Sequence, residues 1–228
     1  MTTPSPARFQ APRTPSLAWR LSLVAACCTG LVGCGLLFHE GGEGWNDQER
    51  PQDLRPQEDT AGLPAGMGSL RQNEISIYLR RGELQLRVTP LRESVIRVAA
   101  PDTYQRLAAL AGGHHRIFRD RTGAAVPFEL FLVAVHAEAT RVSFEPEDLN
   151  LVSRGLRYRP ADIHPVTPAW DRRQVGPRET LMAVYAFPPE VDLEASLEVE
   201  YQEIRDRSWE RIYPRIQAER FRIRAGGG

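Results

Sequence analysis

The sequence predicts a mainly-β domain, a β-sandwich with one short helix, preceded by a signal segment and a disordered tether. Three observations lead there. From residue 72 onward apolar and polar residues alternate with period two, as they do along half-buried strands. The later apolar runs are short and divided by turn signals, a spacing that suits a sandwich better than a helical fold. The cysteines, Cys27, Cys28 and Cys34, all precede the domain, so neither a disulfide nor a cysteine metal site can staple it. Its core must hold it, and a domain of about 150 residues can bury about 68–70% of its unfolded surface.

The first element is residues 1–33. Arg8, Arg13 and Arg20, with no acidic residue among them, precede an apolar run that starts at Leu21. A basic start, an apolar middle and small residues before a cut site make an export signal. The run ends in Leu31-Val32-Gly33-Cys34, which resembles the lipobox of bacterial lipoproteins. That resemblance implies cleavage before Cys34, acylation of Cys34 by several chains, and a permanent membrane anchor. One chain at about 0.8 kcal/mol per buried methylene would hold only reversibly. Gly35, where inner-membrane lipoproteins carry Asp, resembles the pattern of outer-membrane lipoproteins if the cell has two membranes. An uncleaved anchor at 21–38 is the alternative, although Ser22, Thr29, Gly30, Gly33 and Gly35 dilute it. Both readings leave the bulk of the chain outside the cytoplasm.

Residues 34–69 comprise the acylated cysteine and a linker rich in Gly, Pro and acids, from Glu40 to Asp59. This composition cannot offset the entropy of folding and is expected to be a disordered tether, reaching about 30–35 Å as a coil. The sandwich is expected over 70–225. A hairpin at 74–88 turns at Arg81-Gly82, pairing Leu79 with Leu84, Ile77 with Leu86 and Ile75 with Val88. A short run at 95–98 follows. The helix is expected from Asp102, with Gln105 completing a capping-box variant, to Gly112-Gly113. Strands are then expected at 115–118, 126–137, 140–144, 149–152, 156–158, 180–187, 195–201 and 216–223. The last two are expected to pair, burying Phe221 and Ile223 and setting Glu198 and Glu200 beside Arg220, Arg222 and Arg224.

Between 131 and 201 the runs VSFEPEDLNLVSRGLRYRP, GPRETLMAVYAFP and LEVEY resemble the immunoglobulin-like domain of bacterial envelope lipoproteins. The residues carrying the resemblance are Phe144, Pro146, Leu149, Leu151, Tyr158, Pro160, Gly176, Val184 and Phe187. It implies a fold and a location and no reaction.

Chemistry is sparse. Without lysine there is no Walker loop and no Ser-Lys dyad, and no Gly-x-Ser-x-Gly occurs. His39-Glu40 does not begin a zincin motif. His114, His115, His136 and His164 match no ligand spacing, and Glu145, Glu147 and Asp148 lack the spacing of a calcium loop. No catalytic residue, metal site or cofactor is therefore expected. The formal net charge is zero, which leaves no footprint for nucleic acid. Two connections suggest partner binding. Residues 159–179 are long and proline-marked and carry Trp170, Arg172 and Arg173, while 203–214 carries Trp209 and Tyr213. Trp, Tyr and Arg are the residues enriched in interface hot spots. The expected protein is an exported, lipid-anchored, non-enzymatic envelope component that binds another protein, outer-membrane and periplasm-facing if there are two membranes. A periplasmic solute- or metal-binding lipoprotein is the alternative, and it needs a concave pocket at the histidines or Trp170.

Overall fold

In the computed structural model, which describes residues 63–125 and 127–226, the period-two stretches become antiparallel strands. The export signal, Cys34 and residues 35–62 lie outside the described residues. The fold is mainly β and sandwich-like. In chain order the strands are β1 (Ile77–Arg81), β2 (Leu84–Pro90), β3 (Glu129–Ala137), β4 (Val142–Ser143), β5 (Leu149–Ser153), β6 (Leu156–Tyr158), β7 (Asp162–Pro165), β8 (Gln174–Val175), β9 (Thr180–Phe187), β10 (Leu197–Tyr201) and β11 (Ile204–Asp206). The helices are α1 (Glu93–Ile96), α2 (Pro101–Thr122) and α3 (Trp209–Gly226). One sheet has the order β1-β2-β3-β9-β7, a second β11-β10-β5-β6, and β4 pairs with β8.

Alternation decides which residues face the core. Ile77, Leu79, Leu84, Leu86, Val88, Phe131, Val133 and Val135 are buried from the first sheet, and Leu149, Leu151, Leu197 and Val199 from the second, in one common core. Strand β3 is apolar on both faces, since Leu130, Leu132 and Ala134 are also buried. A strand of that kind must be covered on its second side. Helix α2 meets that face, its His114 and Phe118 touching His164 of β7 and its Arg121 paired with Asp162 at 3.2 Å.

The hairpin has the expected faces with a corrected register. Ile77 pairs with Val88, Leu79 with Leu86 and Arg81 with Leu84, so the two-residue turn is Gly82-Glu83. Gly82 has φ +58°, and the first loop position of such turns needs a left-handed residue, which glycine supplies and Arg81 does not.

Two helices replace expected strands. The run at 95–98 begins within α1, and the helix begun at Pro101 passes through Gly112-Gly113 and absorbs the strand expected at 115–118. Leu107, Ala111, His114 and Phe118 form one buried stripe at helical spacing, and docking that stripe offsets the roughly 1 kcal/mol cost of each glycine. At the C-terminus α3 occupies the strand expected at 216–223. Trp209, Ile212, Ile216 and Ile223 are buried on one face, whereas Phe221 is 74% exposed. The pairing of 197–201 with 220–224 is therefore wrong, and β10 lies between β5 and β11 instead. The 159–179 connection also holds β7, a 3-10 turn at Pro168–Arg172 and β8, so it is not irregular.

The domain begins before residue 70. Leu63 is buried in the core, Leu70 bridges Ala99 in parallel, and a Cβ on Gly68 would fall on the Val98 backbone. Residues 63–69 thus pack on the domain and are not tether. Ser69 fastens them to α3, donating from its amide and its hydroxyl to Glu219 Oε1, each at 2.7 Å. The hydrogen bond from Arg222, with those of Ser69, lowers the buried Glu219 carboxyl to a pKa of about 2. A depressed carboxylate contributes stability above its unfolded pKa near 4.5 and loses it as pH falls toward 2. Wild-type protein is expected to lose about 1–3 kcal/mol more than Glu219→Gln across that window, the exposed Arg222 being partly screened. Urea unfolding at pH 6 and pH 3 measures it, and equal acid sensitivity of the two proteins would contradict it.

Candidate functional site

The loop between β4 and β5 begins with Phe144, whose amide donates to the Arg173 carbonyl at 3.0 Å. Each larger sheet pins this loop with one tyrosine. Tyr185 of β9 donates its hydroxyl to the Pro146 carbonyl at 3.0 Å, and Tyr201 of β10 accepts from the Glu145 amide at 3.1 Å. Burial holds both phenols above their ordinary pKa, Tyr185 well above, so both stay neutral hydroxyls. An aromatic set continues beneath. Phe144 meets Trp170 edge-on at 4.9 Å, and Trp170 meets Tyr185 at 6.1 Å.

Above these rings lies a cleft of about 340 Å³ lined by Pro146, Glu147, Ile163, Pro165, Trp170, Asp171 and Arg173. The 3-10 turn at Pro168–Arg172 buries Trp170 and turns Asp171 outward. Arg173 closes that turn in the left-handed region at φ +52°, an uncommon conformation for a residue with a side chain. Its guanidinium is held by Glu145 at 2.7 Å and Glu147 at 2.6 Å, and the hydrogen bond to Glu145 raises its pKa further. Three carboxylates, Glu145, Glu147 and Asp171, stand against this one guanidinium, so the rim is net negative. The walls are apolar, from Pro146, Ile163, Pro165 and the edge of Trp170. Such an arrangement can seat an extended segment with apolar side chains and a cation.

The residues expected from sequence divide between surface and core. Trp170 is 3% exposed and Trp209 1%, so neither indole is offered as a surface anchor. Trp209 starts α3, donates from Nε1 to the Leu193 carbonyl at 2.8 Å and packs against half-buried Tyr213, the rings tilted by 31° with centres 6.0 Å apart. Trp209 and Tyr213 belong to that packing and lie outside the cleft lining. Arg172 is exposed and pairs with Glu179 at 2.8 Å. Of the five expected residues, the cleft takes Trp170 and Arg173. It adds Glu147 and Asp171, which only tertiary folding brings to one lining. Glu145, Glu147 and Asp148 do not converge on a cation site: the glutamates hold Arg173, and Asp148 accepts from Gln202. His114 and His164 come together under α2, while His136 bonds Thr180 on the open part of the sheet. That open part holds a second hollow of about 180 Å³, lined by His136 and Thr180 together with Tyr78, Gln85 and Arg87. None of the known family models, curated proteins or solved structures matches this chain.

Proposed function

We propose that this chain is an exported envelope protein, anchored through acylated Cys34, that binds a segment of another protein and catalyses no reaction. In a cell with two membranes it sits on the periplasmic side of the outer membrane. The lipobox-like ending and the arginine-only start of the chain support the anchor. The cleft supports the binding role and is the observation that carries it. Its floor is fixed by two tyrosines from different sheets, which lowers the ordering cost of association. Its rim is net negative beside apolar walls, so the segment it takes is extended and basic, with a cation between Glu147 and Asp171. The left-handed Arg173 fits this role, because strained backbone clusters at binding sites.

A second reading is favoured by the concavity alone. A cleft of about 340 Å³ is large enough for a small cationic solute. A free solute would protect the domain from heat without any protein being present, whereas a partner segment would not.

The anchor is tested by metabolic labelling with a fatty-acid analogue. Cys34→Ser is expected to lose the label and accumulate as the uncleaved precursor, since the thioether requires that sulfur. Label retained on Cys34→Ser but lost on Cys27→Ser would contradict the assignment.

A further inference from the structure

Helix α2 crosses the outer face of the five-stranded sheet so that His114 meets His164 of β7 with ring centres 5.1 Å apart and planes at 73°. The Nδ1 of His114 lies 2.8 Å from the Leu110 carbonyl oxygen. A carbonyl only accepts, so Nδ1 carries the proton and the lone pair is on Nε2. That Nε2 is buried without a partner, and so is Nδ1 of His164. Buried nitrogens without partners are uncommon, and two on touching rings ask for a shared one. We propose that His114 and His164 together hold a divalent transition-metal ion of the zinc, copper or nickel class.

The geometry fits that ion. Two imidazole nitrogens, each about 2.1 Å from one ion and at a near-tetrahedral angle, set their ring centres about 5 Å apart. The Leu110 carbonyl fixes the ligating tautomer of His114, as such acceptors do for metal-bound histidines. Imidazole donors suit zinc, copper and nickel and exclude magnesium and calcium. Phe118, edge-on to His164 at 6.4 Å, forms an apolar wall, and the nearest ion pair between the two elements is Arg121 with Asp162. Among the described residues no group of three or more His, Cys, Asp or Glu converges, so water or a small ligand completes the coordination. Half-buried His164 places the pair near the surface, although both ligating nitrogens are themselves covered. His164 stands between Ile163 and Pro165, which line the cleft, so a bound ion also steadies that wall.

The test uses full-length, tag-free protein in detergent, melted with and without micromolar zinc. Wild-type protein is expected to gain roughly 3–8 °C. The gain is expected to persist in His39→Gln, His115→Gln and His136→Gln and to vanish in His114→Gln and His164→Gln. Copper(II) bound to wild-type protein is expected to show two coupled nitrogens by electron paramagnetic resonance, which decides the matter if the two key variants do not fold. No gain in wild-type protein, a gain retained in His164→Gln, or a copper spectrum with fewer than two nitrogens would overturn the site.

Discussion

Trp209→Ala is expected to lower the unfolding free energy by about 3–5 kcal/mol, the range for a fully buried tryptophan in a core. The side chain is 1% exposed at the first turn of α3, and its Nε1 satisfies the Leu193 carbonyl. Removal leaves a cavity, an orphaned carbonyl and an unsupported Tyr213 ring. Phe221, equally apolar and twelve residues on, is 74% exposed, and Phe221→Ala is expected to stay within about 0.5 kcal/mol. Urea unfolding of the two variants therefore reads the secondary structure of the C-terminal segment. A larger loss from Phe221 than from Trp209 would restore the strand and remove α3.

Trp170→Ala is expected to cost about as much, again about 3–5 kcal/mol. The indole joins Phe144 to Tyr185 and supports the turn that ends in Arg173. Its loss also removes a wall of the cleft, so lost binding in this variant would report collapse as much as lost contact. Trp170→Phe keeps an aromatic edge and is expected to cost less than half as much. Circular dichroism melts of both variants measure this. Wild-type stability in Trp170→Ala would show that the ring is not part of the core and return it to the surface.

The faces of the strands were legible in the sequence because period two survives any even shift of register. The register of the first hairpin was not, because it depended on which loop position Gly82 takes. The start of α2 was marked by Pro101 and Asp102. Its end was obscured by Gly112-Gly113, which a docked stripe of Leu107, Ala111, His114 and Phe118 overrides. In α3 the alternation of Phe221 and Ile223 with arginines masked a helical stripe broken in appearance by Pro214 and by the buried pair Glu219 and Arg220. Arg220 is buried because Nε and Nη2 both donate to the Ser94 carbonyl, a partner no local pattern shows. The cleft follows the same logic. Trp170 and Arg173 stood out by residue type, but Glu147 reaches Arg173 from 26 positions away. The rings of His114 and His164 meet across 50 residues, and only the packing of α2 on β7 joins them.

The binding role is tested most directly by photo-crosslinking in intact cells from a reactive amino acid placed at Asp171, on the cleft rim, and at Leu156, exposed on the edge strand β6. The account predicts an adduct with one discrete protein from position 171 that disappears when Glu147→Arg cancels the net negative charge of the rim, and none from position 156. No adduct from position 171, or the same adducts from both positions, would contradict it.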